Sequence, residues 1–228
     1  MKRFILLTAV CLAAFTSCVF TVSGSNGGEV VLGSSQEVTR TFDVAPFDAL
    51  TINVPGDVVY ESGAPKVVIV APEKYMEHIV VEPDGDGALI IKSDDKKIRS
   101  FKNTKIYVTS DVLNSLTING AVDMECKHGL RANGDFDLTL NGAGDLDICG
   151  LEAAEVTIRC NGAADVDLTG LNAATLDVTI NGAGDVNVAG NADRAYLTIN
   201  GAGDINATGL EAAIIRPSVH GVGSVRTR

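Results

Sequence analysis

Acidic side chains recur down the second half of this chain at a spacing that could do chemistry. Asp123, Asp145, Asp165, Asp185 and Asp204 form one series, which passes to Ser224. Two residues on from each lies a second series: Glu125, Asp147, Asp167, Asn187 and Asn206. A pair such as Asp165 and Asp167 offers two carboxylates, the equipment for acid and base work on a glycosidic bond. Stacked carboxylates also supply the oxygen ligands that calcium prefers. Both uses compete with a plainer one, in which each aspartate accepts hydrogen bonds from backbone N–H groups of its own turn. Carboxylates ~4.8 Å apart repel by roughly 0.9 kcal/mol even at the dielectric of water, so something must offset that cost.

Recurrence argues against the catalytic use and leaves cation binding by the ladder open. An active site is singular, whereas these acids return on every unit, as structural residues do. The run Asn141-Gly142-Ala143-Gly144-Asp145-Leu146-Asp147-Ile148 invites comparison with the calcium-binding nonapeptide GGxGxDxUx, but Leu146 stands where that motif needs its ligand. His78, His128 and His220 are scattered without metal spacing, and no Ser-His-Asp or Cys-His set stands out. Cys126, Cys149 and Cys160 are odd in number and lack CxxC spacing, which argues against a zinc site or a disulfide framework. The expectation is no catalytic residues, no metal, no cofactor and no enzyme activity.

The elements that position these residues come from a repeat. Leu116-Thr117-Ile118-Asn119-Gly120 returns as Leu138-Thr139-Leu140-Asn141-Gly142, as Val178-Thr179-Ile180-Asn181-Gly182 and, in variant form, elsewhere. The glycines fall at 120, 142, 162, 182, 201 and 221, so the spacings are 22, 20, 20, 19 and 20. Within each unit apolar and polar residues alternate, the period of a strand. Phe136, Leu138 and Leu140 are expected to face inward with Leu146 and Ile148, while Asp137 and Thr139 face outward. A unit near 20 residues with several short strands fits one rung of an all-β solenoid, since a single rung cannot bury its own apolar face. Stacking then makes columns. Asn119, Asn141, Asn161, Asn181 and Asn200, with His220 last, are expected to stack their amides. The glycines beside them are expected to take positive φ at the corner. Cys126 and Cys160 fall at inward positions and Cys149 at an outward one.

Residues 41–113 read as earlier, less regular rungs at a capping end. Leu50-Thr51-Ile52-Asn53-Val54 is a degenerate copy of the unit, and 72–78 suggest a short helical turn. Ahead of them, Met1-Lys2-Arg3 and the apolar run Phe4 to Phe15 have the pattern of a signal peptide, residues 1–17, too short to span a bilayer. Thr16-Ser17-Cys18 resembles a lipobox, which makes Cys18 the expected lipidation site, with 18–40 as a lipidated cysteine and flexible tether and 41–228 as the solenoid. Removing Lys2 and Arg3 with the signal takes the net charge from −11 to −13. That surface repels a polyanion, so nucleic acid is not expected as a partner.

Phe47-Asp48-Ala49-Leu50, Gly56-Asp57-Val58, Leu89-Ile90-Ile91 and the serial Asn-Gly-Ala-Gly-Asp units, with the lipobox, resemble the bacterial family called putative auto-transporter adhesin, head GIN domain. The resemblance runs from about Thr39 to Arg228. It implies a right-handed parallel β-helix and an adhesin role, and it brings no catalytic residues with it. The resulting expectation is a cell-envelope lipoprotein, anchored to the outer membrane by lipid alone, with an unknown protein or glycan ligand at the cell surface. The alternatives are a structural envelope-maintenance lipoprotein and a glycan-acting β-helix enzyme.

Overall fold

The computed structural model describes residues 36–94, 103–126 and 128–228. Cys18, the signal peptide and most of the expected tether lie outside these residues. Gln36–Arg228 is one compact unit, a stack of parallel strands wound into a β-solenoid of about 6 turns.

Alternation sets the strands and their faces. Phe136–Leu140 buries Phe136, Leu138 and Leu140 and turns Asp137 and Thr139 outward. The chain then turns into Ala143–Glu152, which buries Leu146 and Ile148 on a second face and Leu151 on a third. Each strand pairs in parallel with its equivalent one unit on. Leu116, Leu138, Ile158, Val178 and Leu197 therefore stack in one inward column, each 0% exposed. Met124, Leu146, Val166, Val186 and Ile205 make a second such column. The core is largely aliphatic, with Tyr60 and Phe136 as its largest members, and Cys126 and Cys160 occupy inward positions within it while Cys149 is exposed. Register shifts at Leu168/Leu171 and Asn187/Ala189 fall where the repeat length changes between 20 and 19.

The first half does not continue the stack in chain order. Ala49–Ile52 and Gly56–Ser62 lie directly beside Ser115–Ile118 and Val122–Cys126, in parallel. The segment between them forms the end of the solenoid. Lys66–Pro72, expected to belong to an earlier rung, instead runs antiparallel to Lys105–Ser110, and Ile79–Pro83 runs antiparallel to Ala88–Ser93. Reversed strands and the helical turn Glu73–Met76, with Met76 buried, close the core at this end. The tether boundary also needs correction. Glu37–Phe42 is a strand paired with Lys66–Pro72, so residues 37–40 belong to the domain rather than to a linker. Val38 and Phe42 pack on the core, and the pairing gives this stretch the backbone partners that a linker lacks.

Placing a charge in an inward column tests this arrangement. Val178→Asp is expected to abolish cooperative thermal unfolding, because an unpaired buried carboxylate has no compensating partner. Thr179→Asp, on the outward side, is expected to cost under about 1 kcal/mol. Circular-dichroism melts distinguish the two.

Candidate functional site: stacked polar columns at the rung corners

At the Asn-Gly corner the first glycine faces the backbone of the rung behind it. A Cβ built on Gly162 would lie 1.8 Å from the carbonyl oxygen of Gly142, and one on Gly182 would lie 1.9 Å from that of Gly162. No side chain fits there. Positive φ does not occur at these glycines as expected; it belongs to the second glycine of the corner, at 136° in Gly144 and 150° in Gly184. A Cβ on the second glycine would also meet the rung behind, 1.9 Å from Val122 O at Gly144 and 2.0 Å from Ala164 O at Gly184. That position therefore combines tight room with positive φ; Ala164 fills it on one rung, where φ is not positive.

This approach aligns the asparagines. Asn141 Nδ2 donates to Asn119 Oδ1 at 2.8 Å, Asn161 to Asn141 at 2.9 Å, Asn181 to Asn161 at 2.8 Å and Asn200 to Asn181 at 2.9 Å. Every bond runs in the same sense along the solenoid. The ladder starts further back than the regular repeat, because Asn119 Nδ2 donates to Asn53 Oδ1 at 2.6 Å across 66 residues. The signal for Asn53 was the match of Leu50-Thr51-Ile52-Asn53 to Leu116-Thr117-Ile118-Asn119. At the other end the column changes chemistry: His220 Nε2 lies 2.9 Å from Ser218 Oγ.

Asp123, Asp165, Asp185 and Asp204 bond to backbone one rung on rather than within their own turns. Asp165 Oδ1 accepts from the backbone N–H of Asp185 at 2.8 Å, and Asp185 Oδ1 from that of Asp204 at 2.8 Å. Asp123 Oδ1 accepts from the N–H of Asp145 at 3.3 Å. The reason lies in donor supply. Around Asp185, the N–H groups of Ala183, Gly184 and Val186 already go to carbonyls of neighbouring rungs. Asp185's own N–H remains, and the carboxylate one rung back takes it. Each such bond sets a carboxylate against a backbone dipole and so offsets part of the repulsion along the column. The column also reaches Asp57, which pairs in register with Asp123. In the second series, Asn187 Nδ2 donates to Asp167 Oδ1 at 2.6 Å.

Asp204 ends the series. Its Oδ1 accepts from Ser224 N–H at 2.7 Å and Ser224 Oγ–H at 2.9 Å, and Arg226 lies 3.7 Å from Oδ2. The Ser224 hydroxyl, then its N–H, hold the carboxyl below its ordinary value, with Arg226 adding to the effect. The thiols lean the other way: burial pushes Cys126 and Cys160 up to about 11, which favours the neutral, unreactive form. Cys149 Sγ lies 3.3 Å from Thr169 Oγ1 on the surface.

Among the described residues, no group of three or more His, Cys, Asp or Glu side chains is placed to hold a metal ion. The acids sit on an open face. Asp57, Asp123, Asp145 and Asp147 line a shallow trough of about 420 Å³ with Lys105 and Tyr107, and a second of about 490 Å³ follows over Glu125, Asp147 and Asp167. Neither isolates one pair of acids from the rest.

Parallel rungs, a largely aliphatic inward core and hydrogen-bonded outer columns define a parallel β-solenoid. The chain belongs to the family described as putative auto-transporter adhesin, head GIN domain, whose model matches residues 46–228. Its fold is shared with a solved putative adhesin from Bacteroides fragilis NCTC 9343, at TM-score 0.70 and 24% identity over 86% of this chain and 98% of that one. A putative lipid binding protein from Parabacteroides distasonis ATCC 8503 is similar at TM-score 0.71 and 18% identity, covering 86% and 98%. A putative adhesin from Parabacteroides merdae ATCC 43184 follows at TM-score 0.63 and 19% identity, covering 86% and 82%. A comparison with curated proteins found no match.

Two experiments address the columns. Gly162→Ala is expected to cost about 3 kcal/mol or more, because backbone must move to admit the Cβ. Asp165→Asn, which keeps an acceptor oxygen, is expected to cost only about 1 kcal/mol. Added calcium is expected to leave the melting temperature of the wild type unchanged; a rise of many degrees that Asp165→Asn removes would refute the hydrogen-bonding role. For Asp204, a depressed folded value means that its contribution to stability is present above the ordinary value of 3.8 and is lost as pH falls through the folded value. Carboxyl NMR is expected to show Asp204 titrating below 3.8, and Ser224→Ala should move it upward.

Proposed function

We propose that this chain is a cell-envelope lipoprotein whose solenoid is a non-catalytic adhesion or interaction module with a protein or glycan ligand at the cell surface. The observation that carries the reading is the repetition of the polar columns. Amide is bonded to amide along the ladder and carboxylate to backbone on four rungs, so these groups fasten a long, stiff face rather than equip one spot. Solenoids of this kind offer extended surfaces to large ligands. Family membership supports the adhesin reading. The basic start, short apolar run and Thr16-Ser17-Cys18 support export and lipid attachment at Cys18, with the outer membrane as the site of anchoring. No helix among the described residues is long and apolar enough to cross a membrane. The net charge of −11 disfavours nucleic acid as a ligand.

Labelled palmitate is expected to enter the wild type and not Cys18→Ala. Protease added to intact cells is expected to remove the domain; full protection that ends only on lysis would place it inside the envelope and sink the adhesion role.

A further inference from the structure

Six Asn-Gly pairs fall among the described residues, at 119–120, 133–134, 141–142, 161–162, 181–182 and 200–201. Such a pair carries its own chemistry. The glycine nitrogen has no Cβ beside it to hinder approach, and it can attack the Cγ of the asparagine before it. The new N–Cγ bond closes a five-membered succinimide, the Cγ–Nδ2 bond breaks, and ammonia leaves with the proton of the glycine N–H. Solvent water then opens the ring. Opening at Cγ gives aspartate; opening at the α-carbonyl leaves the glycine nitrogen on Cγ, which is isoaspartate, with a main chain one methylene longer. One asparagine and one water have become one acidic residue and one ammonia.

Five of the six pairs belong to the amide ladder, and there the reaction is obstructed. Asn181 donates to Asn161 at 2.8 Å and accepts from Asn200 at 2.9 Å, so turning its Cγ toward Gly182 breaks two bonds at once. Attacking nitrogens are engaged as well: the Gly182 N–H goes to Cys160 O at 3.1 Å and the Gly201 N–H to Ile180 O at 3.2 Å. The backbone has no room to shift in compensation, because these glycines face the carbonyls of the rung behind.

The pair at 133–134 lies outside the ladder, between Leu130–Arg131 and Phe136–Leu140, and both residues are exposed. Two bonds hold the turn without using the reacting groups. The Asn133 N–H donates to Asn114 Oδ1 at 2.7 Å, and Gly134 O accepts from the Ala154 N–H at 2.6 Å. Among the described residues, neither the Asn133 side-chain amide nor the Gly134 N–H has a hydrogen-bond partner. A Cβ built on Gly134 would meet nothing within 4 Å, so the ring has space to close and water has access to it.

We propose that Asn133 is a self-modification site, converting to isoaspartate and aspartate in the folded protein, and that the ladder keeps the other five pairs intact. The product adds a carboxylate, and isoaspartate lengthens the main chain between the two held points. Asn114, which holds one of them, also donates through Nδ2 to Asp48 Oδ2 at 2.9 Å. The change therefore falls where the first half of the domain is tied to the repeats. It is independent of the adhesion reading.

The purified protein, aged at mildly alkaline pH, digested with trypsin and sequenced by tandem mass spectrometry, provides the test. Asn133 is expected to gain one mass unit about thirtyfold faster than a ladder asparagine bonded on both sides, since two amide bonds must open together there. In denaturant all six pairs are expected to convert at similar rates. Asn200→Ser removes the donor to Asn181 Oδ1 and is expected to speed conversion of Asn181 about fivefold while leaving Asn133 unchanged. Ladder asparagines that convert as fast as Asn133 in the folded protein overturn the proposal. So does an Asn133 that stays intact when folded while the denatured chain converts. Protection of the ladder positions that persists in denaturant overturns the role given to the ladder.

Discussion

The contact between two backbones at the Asn-Gly corner governs the rest of this molecule. Gly162 sits so near the carbonyl of Gly142 that even a methyl group is excluded, and the same closeness recurs from Gly142 to Gly221. Once that contact is made, the register of the flanking strands has no freedom. A slip of one residue would carry every inward Leu, Ile and Val to the outer face. The aliphatic columns, the amide ladder and the carboxylate bonds to backbone are all consequences of one spacing being held rung after rung.

The polar columns divide the work between them. Amide to amide, the asparagines satisfy one another, and each bond of this kind contributes a net of about 1 kcal/mol. Asp123, Asp165, Asp185 and Asp204 each take an N–H from the next rung, which offsets part of the repulsion along the stack. Charge that would serve a lone ligand is thus committed to the fold itself.

Most of the regular half could be read from residues alone. Alternation in Phe136–Leu140 and in Leu146 and Ile148 told inward from outward, and constant spacing told stacking. Cys126, Cys149 and Cys160 lie on the faces that alternation assigns them. Two features were not legible. Whether an aspartate reaches its own turn or the next depends on which donors are already used, and that is settled by pairing between rungs rather than by local sequence. The reversal of Lys66–Pro72 and the placing of Asn53 beside Asn119 were hidden for a related reason. Strand patterns carry no direction, and a degenerate copy does not say which copy it will meet. Residues 37–40 looked like linker because an edge strand with one solvated face needs little apolar content.

The meeting of Asn53 with Asn119 has a bearing on how the chain assembles. Within the repeats, ladder partners are 19 to 22 residues apart, whereas this join spans 66. Closing the longer loop costs about 1 kcal/mol more in chain entropy. The repeats from Ser115 onward can therefore gather first as near-neighbour contacts, each new turn templated by the one before it. The strands Ala49–Ile52 and Gly56–Ser62, with the segment that follows them, must then be laid against a finished edge, like a lid fitted after the stack beneath it. Amides in Ala49–Ile52 should gain exchange protection later in refolding than those in Val186–Ile199, and the reverse order would show that the covered end is the seed rather than the closure.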